Sequence, residues 1–369
     1  MLTSEPDSFT IKETSPTSAV PPILNQPYFK GLDGLRALSI VFVLLAHFYF
    51  GSSGTDGTDI GAIGVEIFFV ISGFLITTLL LKEKQKKGTI QLKRFYIRRF
   101  LRIVPVAILF LITLFLINIV EHLGITNLSF ATAFLYLKNL PIKNAGEWYT
   151  GHFWSLSVEE QFYLVFPFLL TANQKITKRL TILLIILIPT ISYLGFNKIG
   201  VFYSNKIIHN TTFVFINLLG KGSASIFVGC ILSILLFEGI IKALPSTKYL
   251  SLVIFLLALV CRFKISPVYI PYFSSIVFSA LIGVVIILNL QDPDNYFAKI
   301  LDYKIFVKVG VLSYSLYIWQ QIFTHQQPWQ YAFKYSNSVI LNTVTLFAVA
   351  YFSYNFYEKR FLTLKDKFK

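Results

Sequence analysis

Read along its length, the chain alternates long apolar runs with short polar connections. Ten runs fall at approximately 28–50, 60–81, 102–121, 154–171, 180–196, 212–237, 249–262, 271–290, 309–326 and 337–357. Most are near the length of about twenty apolar residues that a helix needs to cross a bilayer core. Lipid offers no hydrogen-bond partners to the backbone, so such runs are expected as helices. The expected fold class is all-α, a polytopic membrane helix bundle of about ten transmembrane helices. The apolar run Leu128 to Leu140 is short for a span and is expected to lie in the interface or re-enter. Trp148, Tyr149 and Trp154 suit the headgroup level. Residues 1–27 are rich in Ser, Thr and Pro and lack an apolar core before a cleavage site. They are expected as a disordered cytoplasmic tail rather than a signal peptide. The membrane domain then covers 28–360, and 361–369 form a basic cytoplasmic tail.

Composition agrees with a membrane chain: 369 residues, 55% hydrophobic, with a mean hydropathy of +0.65, are too apolar for a soluble globule. The net charge of +15 invites a nucleic-acid partner. The basic residues, however, follow alternate connections: Lys82 to Arg99, Lys175 to Arg179, Lys242 and Lys248, Lys299 to Lys308, then Lys359 onward. The positive-inside rule accounts for that pattern, places both termini in the cytoplasm and removes the need for nucleic acid. Lys221, inside the sixth run, faces a polar cavity or snorkels outward. Cys230 and Cys261 are the only cysteines, which excludes a disulfide framework or thiolate metal site, so no metal is expected. Oligomeric state is open, because small-residue faces serve packing within one chain as well as between copies.

Candidate chemistry begins with Arg36 and His47 in the first run. Eleven residues of α-helix turn through about 1100°, about 20° past three full turns, and rise about 16 Å. The guanidinium and imidazole therefore share a face at two depths, with Asp33 one turn before Arg36. Ionisable groups inside a span usually mark a functional path, and a histidine in a dry site is the commonest general base. The plainer alternatives are a snorkelling arginine and a histidine bonded between helices. Glu66, at the predicted level of His47, either orients that imidazole or favours a helix start through the dipole. Gly64 and Gly73 suit close helix packing. In Arg98 to Pro105, RRFLRIVP, Arg99 and Arg102 are helix neighbours able to grip one anion, phosphate above all; membrane anchoring competes. In His152 to Pro167, HFWSLSVEEQFYLVFP, Ser157 and Glu160 fit a capping box. Glu159 and Tyr163 share a face, and His152 and Glu159 could meet an acceptor from the outer side or be ordinary surface groups. The hydroxyls and amides of Ser313 to Phe323, SYSLYIWQQIF, line a cavity or bond across helices.

These segments, in this order, resemble acyltransferase family 3 of integral membrane acyltransferases, over about Tyr28 to Arg360. The Arg-x10-His pair, the GVEIFFVISG run, the Arg99/Arg102 pair and the WSLSVEEQFY segment from Trp154 carry the resemblance. It implies transfer of an acyl group, usually acetyl, from acyl-CoA to a hydroxyl of a carbohydrate or glycolipid. No cofactor is held permanently; acyl-CoA is a co-substrate. Arg36 and His47 are expected as the catalytic pair with Glu66, and Arg98, Arg99 and Arg102 on the donor. His152, Trp154, Glu159 and Tyr163 are expected on the acceptor. Localisation is expected at a bacterial plasma or inner membrane, as a multi-pass protein. Glu66 stands where many members have Asp, and Gln320 where many have His. His325 is about 140° further round and does not simply replace it. The hydrolase-like domain that follows in many relatives is not expected here. The alternatives are a non-enzymatic carrier of a lipid-linked saccharide and the same enzyme type with succinyl or longer donors.

Overall fold

The computed structural model describes residues 20–50, 57–145, 148–220, 222–263, 269–325 and 327–368, all helices and connections without a strand. The expected tail falls outside these residues up to 19, and Lys221 does so too. Residues 20–27 carry a single turn at Pro22–Leu24, with Leu24 fully buried.

The helices are α1 Leu32–Leu45, α2 Gly57–Lys87, α3 Leu92–Glu121, α4 Asn127–Phe134, α5 Trp148–Gly151 and α6 Phe153–Ala172. There follow α7 Gln174–Phe196, α8 Val201–Ser204, α9 Lys206–Leu219, α10 Ser223–Phe237 and α11 Leu250–Arg262. The last are α12 Ser274–Gln291, α13 Tyr296–Leu301, α14 Lys304–Trp319, α15 Val339–Phe352 and α16 Lys359–Lys365. Among the described residues, six helices are long and apolar enough to cross a membrane, or seven with α9 and α10 counted as one bent span. The runs expected at 154–171, 249–262 and 309–326 become α6, α11 and α14, which do not meet both conditions. The run expected as one span over 212–237 is divided between α9 and α10, which meet at 59°.

At the centre α2 packs on α10, with α1 against α2 and α14, and α12 against α10 and α11. Backbones touch at the α2–α10 crossing. A Cβ on Gly73 would stand 2.0 Å from the Ile226 carbonyl oxygen, and one on Gly229 would stand 2.2 Å from that of Val70. Packing this close replaces the hydrophobic drive that lipid does not supply between helices. Two departures from regular helix matter for the site. Gly31 enters α1 at φ 80°, and its N–H donates to Asp302 at 2.7 Å. After Leu45 the helix widens into a π-turn over Ala46–Phe50, so His47 leaves the α-helical track assumed from the eleven-residue spacing.

Candidate active site

Helices α1, α2, α3, α6 and α14 enclose a narrow cavity of about 100 Å³. Arg36, Arg99, Arg102, Glu159 and Tyr163 all line it, so side chains from three of the predicted segments meet in one place. Arg36 donates to Asp33 at 2.5 Å, and the other Asp33 oxygen accepts from Tyr28 at 2.7 Å. Glu159 accepts from Ser72 at 2.5 Å and from Tyr163, whose hydroxyl also meets Ser72. The Arg99 guanidinium lies over the Tyr163 ring at 3.8 Å, a cation–π contact. Its buried Nε lacks a hydrogen-bond partner. Arg36 is taken up by Asp33 and Glu159 by Ser72 and Tyr163, while Glu160 lies within electrostatic reach of Arg99 and Glu358 within that of Arg102. Arg99 and Arg102, one helical turn apart on α3, are placed to grip one anion together.

Beyond this chamber lies a second layer around His47. Ser155 and Tyr317 line the chamber and join hydroxyl to hydroxyl at 2.5 Å. The Tyr317 hydroxyl also donates to the His152 carbonyl at 3.1 Å. One turn after Tyr317, the Gln320 side-chain oxygen lies 2.7 Å from His47 Nδ1. Trp148 sets its ring edge-on to the imidazole, with centroids 5.5 Å apart. Tyr317 on the chamber wall and Gln320 beside His47 thus sit one turn apart at the end of the same helical segment.

Other expected members lie elsewhere. Glu66 is held by Arg262 in a bidentate pair at 2.9 and 3.1 Å, and also accepts from Ser275 at 2.8 Å. It does not orient His47; Gln320 occupies that place. Helix register is the reason. With Gly61 against Ala46 and Gly64 against the Ser39 carbonyl, the antiparallel pair sets Glu66 deeper than His47, facing α11 and α12. Arg98 donates to the Phe368 carbonyl at 2.8 Å and pairs with Glu83 at 3.4 Å, outside the chamber. Glu159 belongs with the arginines rather than with a separate acceptor surface. His152, 3% exposed, is boxed by Phe110, Phe153 and Tyr317, and Trp154 packs edge-on to Phe69. The expected capping box is also displaced. Helix α6 begins at Phe153, so Ser157 is a turn inside it and donates back to the Phe153 carbonyl at 2.8 Å.

Sequence reasoning did not identify Gln320, Gln321, Arg262, Ser72 or Tyr317 as partners in these contacts. Polar side chains in apolar helices were the available signal, but composition does not say which neighbour each one meets.

A family model described as an acyltransferase domain matches residues 29–356. The peptidoglycan O-acetyltransferase OatA of Listeria monocytogenes serovar 1/2a is 30% identical over 325 residues, covering 80% of this chain and 49% of the relative. A putative O-acetyltransferase of Staphylococcus aureus (strain COL) is 31% identical over 326 residues, covering 79% and 50%. The O-acetyltransferase OatA of Staphylococcus aureus (strain NCTC 8325 / PS 47) is 30% identical over 323 residues, with the same coverage of 79% and 50%. The chain spans about half the length of the curated relatives it matches. No solved structure matches it.

Proposed function

We propose that this chain, which belongs to the acyltransferase family matched over residues 29–356, is a membrane O-acetyltransferase acting on a carbohydrate. We take acetyl-CoA as the donor and a hydroxyl of a peptidoglycan-type glycan as the acceptor. One observation carries the proposal: Arg36, Arg99 and Arg102 line a single chamber beside the helix whose closing π-turn carries His47. The names of the relatives support the acetyl group and the glycan.

In this scheme the basic end of the bundle faces the cytoplasm. Donor phosphates bind Arg99 and Arg102, whose paired guanidiniums suit a bidentate grip on phosphate oxygens. Arg36, steadied by Asp33, lies further along the path. The thioester arm runs past Ser72, Glu159 and Tyr163 to the Ser155–Tyr317 pair, which must part for the acyl group to reach His47. There the imidazole removes the acceptor's hydroxyl proton as its oxygen attacks the thioester carbonyl. The tetrahedral oxyanion then collapses, the C–S bond breaks, and the departing thiolate takes the proton back from the imidazolium. The products are the acetyl ester and free CoA, with charge and protons balanced.

The test uses the purified full chain in lipid vesicles, labelled acetyl-CoA and soluble peptidoglycan fragments. His47→Ala should lower acetyl transfer by about 10²- to 10⁴-fold, the usual contribution of a general base. Arg99→Leu should raise the KM for acetyl-CoA. Undiminished transfer by a folded His47→Ala protein would overturn the scheme.

A further inference from the structure

His47 does not end at Gln320: a chain of amides continues behind it. Gln320 Nε2 donates to Gln321 Oε1 at 2.8 Å, and Gln321 Nε2 donates to the Trp148 backbone carbonyl at 2.8 Å. The Trp148 indole N–H donates in turn to the Gln321 carbonyl at 2.9 Å, so helix α5 and the end of α14 are bonded in both directions. Both glutamines are buried, at 0% and 3% exposure.

Direction along this chain follows from its last member. A backbone carbonyl can only accept, so the Gln321 amide must present its NH2 group to Trp148. Its oxygen then faces Gln320, which must present its own NH2 there. The oxygen of Gln320 is thereby turned to His47, and an oxygen at 2.7 Å can only accept from Nδ1–H. Turning any one amide over would set two donors or two acceptors face to face in a buried site, costing roughly 1–3 kcal/mol for each group left unpaired.

We infer that Gln320, Gln321 and the Trp148 carbonyl form a relay that keeps the His47 proton on Nδ1 and leaves Nε2 as the basic atom. The inference deepens the proposed function and rests on its assignment of His47 as the base. Gln320 and Gln321 are positioning residues; neither meets the acyl group or the acceptor. The arrangement does with neutral amides what a carboxylate does behind the histidine of a hydrolase triad, where loss of the correct tautomer costs about 10⁴ in kcat.

The experiment is solid-state NMR on the full chain, labelled with ¹⁵N-histidine and held in phosphatidylcholine bilayers at a pH where imidazole is neutral. A His47→Gln sample assigns the signal. The relay requires a one-bond N–H coupling at His47 Nδ1 and none at Nε2. Gln321→Leu, which frees Gln320 to turn over, should bring a second population with the proton on Nε2. A proton on Nε2 in the unaltered chain would overturn the relay, and so would a His47 signal indifferent to Gln321→Leu. The unaltered chain decides the question even if that variant fails to fold.

A kinetic arm uses labelled acetyl-CoA and peptidoglycan fragments. Gln320→Leu should lose about 10²-fold or more in kcat at unchanged KM. Gln320→Glu keeps an acceptor facing Nδ1–H, although it loses the donor to Gln321, and should run at least ten times faster than Gln320→Leu; equal rates would count against the relay. Full activity of His47→Ala would instead remove the base assignment and leave the tautomer measurement standing, so the two failures are distinguishable.

Discussion

Helices α2 and α7 are both long and apolar enough to cross a membrane, yet 83% of the most apolar stretch of one is buried in the protein and only 22% of that of the other. Apolarity does not separate them, because lipid accepts Leu and Ile as readily as a protein core does. What distinguishes α2 is its small and polar residues: Gly64, Gly73, Ser72, Thr77, Thr78 and Glu66, nearly all turned toward neighbouring helices. Helix α7 instead turns Leu180, Leu183, Ile186 and Tyr193 outward. In a membrane bundle the inside is therefore marked by what lipid would reject. The residues with chemistry to perform gather at the same place for the same reason.

The sharpest break in this contrast is Gly73→Leu. A side chain there meets the Ile226 carbonyl at 2.0 Å from Cβ onward, and backbone on both helices would have to move. The expected outcome is loss of folded protein on size-exclusion chromatography after extraction. Next comes Arg262→Leu, which leaves the Glu66 carboxylate buried and unpaired. Breaking one side of a buried pair costs about 3–5 kcal/mol, read as a lowered thermal midpoint. Removing both charges, with Glu66→Leu added, should recover most of that loss. Arg98→Ala, which removes a partly exposed pair at 3.4 Å, should cost about 0–1 kcal/mol and leave the KM for acetyl-CoA unchanged. Smallest of all, Leu183→Ala and Ile186→Ala on the outward face of α7 should fall within about 0.5 kcal/mol of the parent. A large effect there would show that α7 has a protein partner on that face.

Much of the site was legible in the chain. The positions of Arg36, Arg99, Arg102, Glu159 and Tyr163 pointed to polar work inside apolar helices, and the five do line one chamber. Errors arose where a conclusion needed the register between helices rather than the period within one. Glu66 was matched to His47 by depth alone, but it faces Arg262 across a different seam. Arg98 shared a basic motif with Arg99, yet one step round the helix, about 100°, sends it to Glu83 and Phe368. Ser157 looked like a cap because the helix was expected to begin later than Phe153.

By itself the sequence determined that this is an all-helical membrane protein, resembled the acyltransferase family in its motifs, and made the charged residues inside its apolar runs conspicuous. The first and the last follow from local facts: lipid forbids unbonded backbone and makes each buried charge stand out. Only the tertiary structure decided what each charge meets. It set Gln320 rather than Glu66 behind His47, gave Glu66 to Arg262, and joined Ser155 to Tyr317 on the chamber wall. Helical period sets the direction in which a side chain points, but its partner depends on how neighbouring helices are staggered. That stagger is fixed by backbone contacts at a few small residues such as Gly64 and Gly73.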